Sequence, residues 1–132
     1  MLKHADLTEA VIECFYEVYK TLGYGFLEKV YENSLRITLR ERGFNVEQQA
    51  PVRVHFRGQE VGHYFADLLI NDLVIVEVKS VIRLAAEHEA QLWNYLKATG
   101  LEVGLVMNFG PKPEFKRKVF ETAKSPDFEL PY

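Results

Sequence analysis

The chain holds a single cysteine, Cys14. That excludes an internal disulfide and a cysteine-built zinc site, and on an apolar helical face it reads as a small buried residue. Positive charge is also in short supply. Sixteen Lys and Arg against nineteen Asp and Glu leave a net charge of -3, whereas a domain that grips polyanions in general is usually basic. Any basic groove must therefore be local. No apolar run approaches the roughly 20 residues of a membrane span, and the first residues carry no signal-peptide pattern. The expected compartment is the cytoplasm, with no membrane partner. There is no internal repeat. What is present, 132 residues with 48% hydrophobic and 27% charged side chains, is the composition of one globular domain. It is expected to span 1–132, with 125–132, which carries two prolines, as a loose tail.

Along the chain, Asp6-Leu7-Thr8-Glu9 fits a capping box. Leu7, Val11, Phe15, Val18, Tyr19 and Leu22 follow at helical spacing. Gly23 and Gly25 break that helix, and a second is expected from Phe26 to Arg42, closed by Gly43. Its apolar stripe is Leu27, Val30, Tyr31, Leu35 and Leu39, while Glu28, Glu32, Arg36 and Arg40 form an i,i+4 ladder that reads as a solvated face. From Val46 the period changes to two. Val52, Val54 and Phe56 alternate with Arg53, His55 and Arg57, Gly58 turns the chain, and a longer strand runs from Gln59 to Ile70. A third strand begins at Leu73. Glu87 to Thr99 is a helix stopped by Gly100, and Leu101 to Asn108 is a further buried strand. After a crossover helix that strand is expected to run parallel to a neighbour. Lys112 to Lys124 reads as a basic terminal helix. The expected fold is α/β: a three-strand antiparallel meander plus one strand after a crossover helix, a mixed sheet flanked by helices.

The stretch Ala66 to Val81 is where charge enters this frame. Leu73 to Val78 is nearly all aliphatic, as in a strand buried on both faces. Glu77 and Lys79 interrupt it two apart, so they share a face. Charges seldom sit near a core unless they pair, bind a metal or do chemistry. Asp67 stands on the neighbouring run. A two-residue turn at Asn71-Asp72 would set Asp67 opposite Val76, on the wrong face for Glu77. A three-residue turn, Ile70 to Asp72, or one bulge, sets it opposite Ile75, so that Asp67, Glu77 and Lys79 share a face. The second register is the one expected. A structural ion-pair cluster is the competing reading of these three residues.

Asp67 followed by Glu77-Val78-Lys79, within this order of elements, resembles the PD-(D/E)XK nuclease superfamily. Gly25-Phe26-Leu27-Glu28-Lys29-Val30-Tyr31 resembles the signature of its GxxExxY branch, and Asn94-Tyr95-Leu96-Lys97 and Asn108-Phe109-Gly110 continue the likeness. Gln91 and Tyr95 are similar to the Q-x-x-x-Y helix of exonuclease-type members, whereas Ala66 stands where many members have proline. The resemblance implies a restriction-endonuclease-like fold and a magnesium- or manganese-dependent nuclease. Asp67, Glu77 and the Val78 carbonyl would be hard oxygen ligands, with Glu28 as a further candidate ligand. Lys79 would orient water or stabilise charge on the phosphate. Gln91, Tyr95 and Tyr31 would orient substrate or the surrounding shell. The implied partner is nucleic acid, DNA ahead of RNA, with a homodimer or partner protein to enlarge a small binding surface. A catalytically inactive nucleic-acid-binding or protein-interaction module on the same fold is the alternative. Glu28 fits equally a carboxylate placed for the helix dipole. His63 and His88 lack spaced partners and read as non-ligands, and Trp93 reads as packing or interface. The basic run Lys112, Lys116, Arg117 and Lys118 reads as a solvated face, or as a phosphate track if it lies near the site.

Overall fold

The computed structural model describes residues 4–120. Its elements are α1 (Ala5–Leu22), α2 (Glu28–Glu41), β1 (Val46–Phe56), β2 (Gln59–Ile70), β3 (Val74–Lys79), α3 (Ala86–Thr99), β4 (Val103–Phe109) and β5 (Pro113–Val119). The strands form one sheet in the order β1-β2-β3-β4-β5. β1, β2 and β3 are an antiparallel meander, β4 is parallel to β3, and β5 is antiparallel to β4. This is the expected mixed α/β sheet with one added strand. Among the described residues no helix is long and apolar enough to cross a membrane.

The helices pack on both faces of the sheet. On one side Val11, Phe15, Tyr31, Leu35 and Leu39 of α1 and α2 bury against Val74, Val76, Val78, Leu105 and Met107. On the other, Leu92, Tyr95 and Leu96 of α3 bury against Ile75 and Val106. Gly104 lets α3 come this close, since a Cβ there would lie 2.5 Å from Leu92 Cδ1.

Several expectations are corrected. Asp6 does not cap α1, because the helix begins at Ala5 with His4 before it, and Asp6 sits in the first turn, where its charge suits the dipole. Leu27 is 82% exposed and Val30 is also exposed, because the first turn of α2 runs past the apolar core. Phe56, at the end of the β1–β2 hairpin, is likewise exposed. Pro113–Val119 is a strand, not part of a helix. The lysine-rich composition masks its pairing with β4 from Phe109↔Pro113 to Val103↔Val119. Lysines on an edge strand also discourage pairing with another chain. The tail 125–132 and the remainder of the expected terminal helix lie outside the described residues.

The β2–β3 turn follows neither register considered. The observed pairs are Leu68↔Val76, Leu69↔Ile75 and Ile70↔Val74. Asn71 and Asp72 take the left-handed φ values of 52° and 55° that their short polar side chains tolerate. Leu73 N–H donates to Ile70 O across them. Leu73 is then an extra residue on the β3 side, and the ladder slips by one. Continued by one step, this register sets Asp67 directly opposite Glu77.

Candidate functional site

The β2–β3 ladder ends at Leu68 and Val76, although β2 continues to pair with β1 as far as Gln59. Beyond that point β1 and β2 form a two-stranded arm, while β3 stays with β4. Asp67 and Glu77 stand where the strands part, and their side chains occupy the gap. Asp67 N–H donates to Glu77 Oε2 at 2.7 Å, and Val78 N–H donates to Asp67 Oδ2 at 2.7 Å. Two carboxylates thus take the place of ladder hydrogen bonds.

The same point is a twist in the arm. Leu68 and Ile70 belong to the core under α1 and α2, yet Ala66, two residues from Leu68, belongs to the core under α3. Val46 and Val52 of β1 divide in the same way. Strict alternation would keep each pair on one face. Between them, opposite Asp67, lies Gln49 with φ 56°, a left-handed conformation rare for a non-glycine residue inside a strand. Its Nε2 donates to Glu32 Oε2 at 2.9 Å and to Asp67 Oδ1 at 3.3 Å.

Glu32 is the residue that the ladder reading of α2 misplaced. It is only 3% exposed. Lys29 Nζ lies 3.1 Å away, and Gln48 Nε2 donates to it at 2.5 Å. Arg36 turns to Gln48 and Arg40 to the Val46 carbonyl, so the ladder from Glu32 onward leans on β1, although Glu28 and Arg40 remain exposed. The signal was in the spacing, since Glu32, Leu35 and Leu39 follow the 3–4 stepping of a core-facing stripe. Nothing in composition points to Gln49.

Burial and charge act together on this cluster. Glu77, 3% exposed, is pushed up to about 8 by burial first and then by the Asp67 charge beside it. Asp67 is also raised, chiefly by burial, with the Glu32 charge adding to it and the Val78 N–H opposing. Lys79 reaches toward α3, where Nζ donates to Gln91 Oε1 at 3.1 Å, and Gln91 Nε2 donates to the Tyr95 hydroxyl at 3.2 Å. Burial and the Glu77 charge raise the Tyr95 hydroxyl as well.

Asp67, Glu77, Lys79, Gln91 and Tyr95 therefore converge. Tyr31 does not join them. Its hydroxyl donates to Gly23 O at 2.7 Å and accepts from Phe26 N–H, and its ring stacks on Phe109 at 4.3 Å. Glu28 is exposed at the first residue of α2; the α2 charge that bears on Asp67 is Glu32. Asn108 clamps Val81 through both its backbone groups, at 2.9 Å each. Ser80 Oγ donates to Phe26 O at 2.9 Å. Both contacts pin the chain just beyond Lys79. His88 Nδ1 accepts the Ala85 N–H at the start of α3. His63 lies against the Phe65 ring at 4.9 Å, and Trp93 meets Phe120 edge-on. In the basic run, Lys118 pairs with Glu89 at 2.6 Å.

A sequence model of the PD-(D/E)XK nuclease superfamily matches residues 5–118. The chain belongs to that superfamily. No curated protein is significantly similar to it. Among solved structures, the crystal structure of SSO0001 superimposes with a TM-score of 0.52 at 18% identity, over 77% of this chain and 57% of that one. The chain thus spans little more than half the length of that neighbour, and the likeness is one of fold. An alkaline exonuclease (LHK-Exo) from Laribacter hongkongensis aligns over 98% of this chain and 77% of its own, at 12% identity and a TM-score of 0.45. Asp67 and Glu77-Val78-Lys79 lie within the matched residues.

The donor set can be tested against a divalent cation. Among the described residues no three His, Cys, Asp or Glu side chains gather as a metal cage. Two carboxylates face each other, and burial above all makes both hold their protons more tightly than usual. Magnesium keeps several waters and is typically held by one or two carboxylates. The residues fit such an ion and would not fit a fully protein-caged one.

Proposed function

We propose that this chain is a metal-dependent nuclease hydrolysing phosphodiester bonds of nucleic acid. The observation carrying the reading is the pair of carboxylates, half-buried Asp67 and buried Glu77, facing each other across the gap between β2 and β3, with Lys79 two residues beyond. A purely structural cluster would be expected to neutralise its charges. Here the lysine is turned to Gln91, and burial, with the Asp67 charge beside it, raises the affinity of Glu77 for a proton.

Asp67, Glu77 and the Val78 carbonyl would hold magnesium or manganese. In an extended strand the N–H and C=O of one residue leave by the same edge, so the Val78 carbonyl faces the gap into which its N–H donates. When bound, the ion supplies Lewis-acid activation of the phosphate and of water. The rest is work for the chain. Gln49 and the Val78 N–H fix the Asp67 carboxylate, and the Asp67 N–H fixes Glu77, so neither reorganises as phosphate arrives. Lys79 offers hydrogen-bond donors to the phosphate oxygens and the attacking water, and Gln91, braced by Tyr95, sets its direction. We assign the helix-borne carboxylate to Glu32 rather than Glu28. It acts through Gln49 as a positioning residue. Within the superfamily we place the chain in the GxxExxY branch. Support comes from Gly25, at φ 115°, and from Tyr31, whose hydroxyl closes the turn that contains it. The same reading takes DNA ahead of RNA and the cytoplasm as compartment, with a second copy or partner protein widening the grip.

The test is cleavage of a panel of single- and double-stranded DNA and RNA with magnesium or manganese, and with EDTA. Metal-dependent cleavage by the wild type, absent in Lys79→Ala at unchanged fold, is expected. A wild type that cuts nothing in either metal would leave the fold as a binding module.

A further inference from the structure

Where the β1–β2 arm stands away from α3, a cleft of about 840 Å³ opens. Arg53, His55 and Tyr64 of the arm form one wall, and Gln91, Asn94 and Tyr95 of α3 form the other. The cleft is continuous with the site, because Gln91 both lines it and holds Lys79 Nζ. Tyr64 is 52% exposed, and its ring centroid lies 6.2 Å from that of Tyr95. A polymer with one phosphate at Lys79 would lay its neighbouring residues here.

We infer that this cleft is the path of a single strand of nucleic acid, with the Tyr64 ring as a stacking surface for a base and Arg53 as a partner for the backbone phosphate. The inference rests on the nuclease reading above. Size is the first argument. The volume lies within the roughly 300–1,000 Å³ range of small-molecule sites, room for about one or two nucleotides and not for a duplex. Chemistry is the second. An exposed aromatic ring beside a guanidinium and side-chain amides is the combination that binds unpaired nucleotides, by stacking, phosphate contact and hydrogen bonds to base edges. Charge is the third. At a net charge of -3 the chain has no broad positive field for a duplex backbone, so the grip must be short and local. Arg53 now pairs with Glu60 at 3.3 Å, with both side chains about half exposed. Such a pair is weak and readily exchanged for a phosphate.

Fluorescence anisotropy in EDTA, where the strand stays intact, tests this with labelled oligothymidylate, oligouridylate and a short hairpin duplex. The single strands should bind more tightly than the duplex, and the two homopolymers separate DNA from RNA preference. Tyr64→Ala should weaken single-strand binding about tenfold, the loss expected for one stacked base, whereas Tyr64→Phe should keep it. Arg53→Ala should reduce the slope of log affinity against log salt by about 0.7. Duplex bound as tightly as single strand, or Tyr64→Ala binding like wild type at an unchanged melting temperature, overturns the inference. Cleavage assays on the same variants separate it from its premise. Cleavage indifferent to Tyr64 removes the cleft and leaves the nuclease. Tyr64-dependent binding with no cleavage in either metal removes the nuclease and leaves the cleft.

Discussion

The two halves of β2 behave as different materials. From Leu68 to Ile70 the strand is hydrogen-bonded on both sides, and Leu68 and Ile70 are wholly buried. From Gln59 to Phe65 it is bonded on one side only, and Val61, Tyr64 and Phe65 stand exposed. The closed half carries stability and the open half offers surface. Asp67 lies at the boundary. It is buried enough for its proton affinity to rise, yet it stays half-exposed where the arm begins. A site placed wholly in the closed half would be unreachable. One placed in the arm would be solvated and electrostatically ordinary.

The largest effects should divide along that boundary. Leu68→Ala, in the closed half, should cost about 2–5 kcal/mol by leaving a cavity under α1 and α2, seen as a large fall in melting temperature. Lys79→Ala, at the boundary, should lower cleavage about 10²- to 10³-fold, the loss typical of one electrostatic donor, while the melt hardly moves. A Lys79→Ala protein that melts as early as Leu68→Ala would make the lysine structural.

Metal response should follow next. Asp67→Asn removes one of two repelling carboxylates, so the apo protein should be as stable as wild type or slightly more so. Stabilisation by the ion, about 2.7 kcal/mol at a hundredfold excess over Kd, should vanish. Thermal melts with and without millimolar magnesium check this, and an unchanged ion response in the mutant would remove Asp67 from the ligands.

The dependence on pH has a definite sign. Between the ordinary glutamate value of 4.5 and about 8, folded Glu77 keeps a proton that the unfolded chain has lost. The folded state then binds more protons, so apo stability should fall as pH rises through this window, by at most about 1.4 kcal/mol per unit. Glu77→Gln should flatten the fall. Metal binding needs the ionised pair, so apparent metal affinity should climb over the same range. Denaturant melts at stepped pH, with and without the ion, measure both.

How much of this was legible in the sequence depends on what each feature rests on. The helices and the first four strands are visible because apolar periodicity and glycine stops are properties of long segments. The common face of Asp67, Glu77 and Lys79 is visible because buried charges on strands need a reason. The register is not, since it turns on Leu73 alone, one residue whose side of the turn no composition fixes. β5 is hidden by its lysines. Glu32 is hidden by an assumption that charged ladders face water, although its spacing to Leu35 and Leu39 argued otherwise. The change of face at Gln49 and Asp67 leaves no trace, because a left-handed glutamine inside a strand looks like any other glutamine.

Smaller shifts should separate the two α2 carboxylates. Glu32→Gln removes the charge that Gln49 bridges to Asp67, and should change metal affinity severalfold. Glu28→Gln, at the exposed helix start, should change it little, with a stability cost of about 0.3–1 kcal/mol from the lost dipole interaction. Equal effects on metal binding would return Glu28 to the site.

The finest cut is at Gln49 itself, where backbone and side chain can be separated. In an ordinary strand position glycine is less stable than alanine by roughly 0.5–1 kcal/mol, because it loses more freedom on folding. At φ 56° a residue with a Cβ carries a penalty of about 1–2 kcal/mol that glycine escapes. Gln49→Ala and Gln49→Gly both lose the amide between Glu32 and Asp67, so that loss cancels when the two are compared. The glycine variant should therefore be the more stable, by up to about 1.5 kcal/mol, reversing the order seen elsewhere in a sheet. The reversal would locate backbone strain at the point where the arm changes face, next to the carboxylates it positions. Alanine equal to or above glycine in a denaturant melt would mean that the strand passes Gln49 unstrained, and that the boundary between the two halves of β2 lies elsewhere.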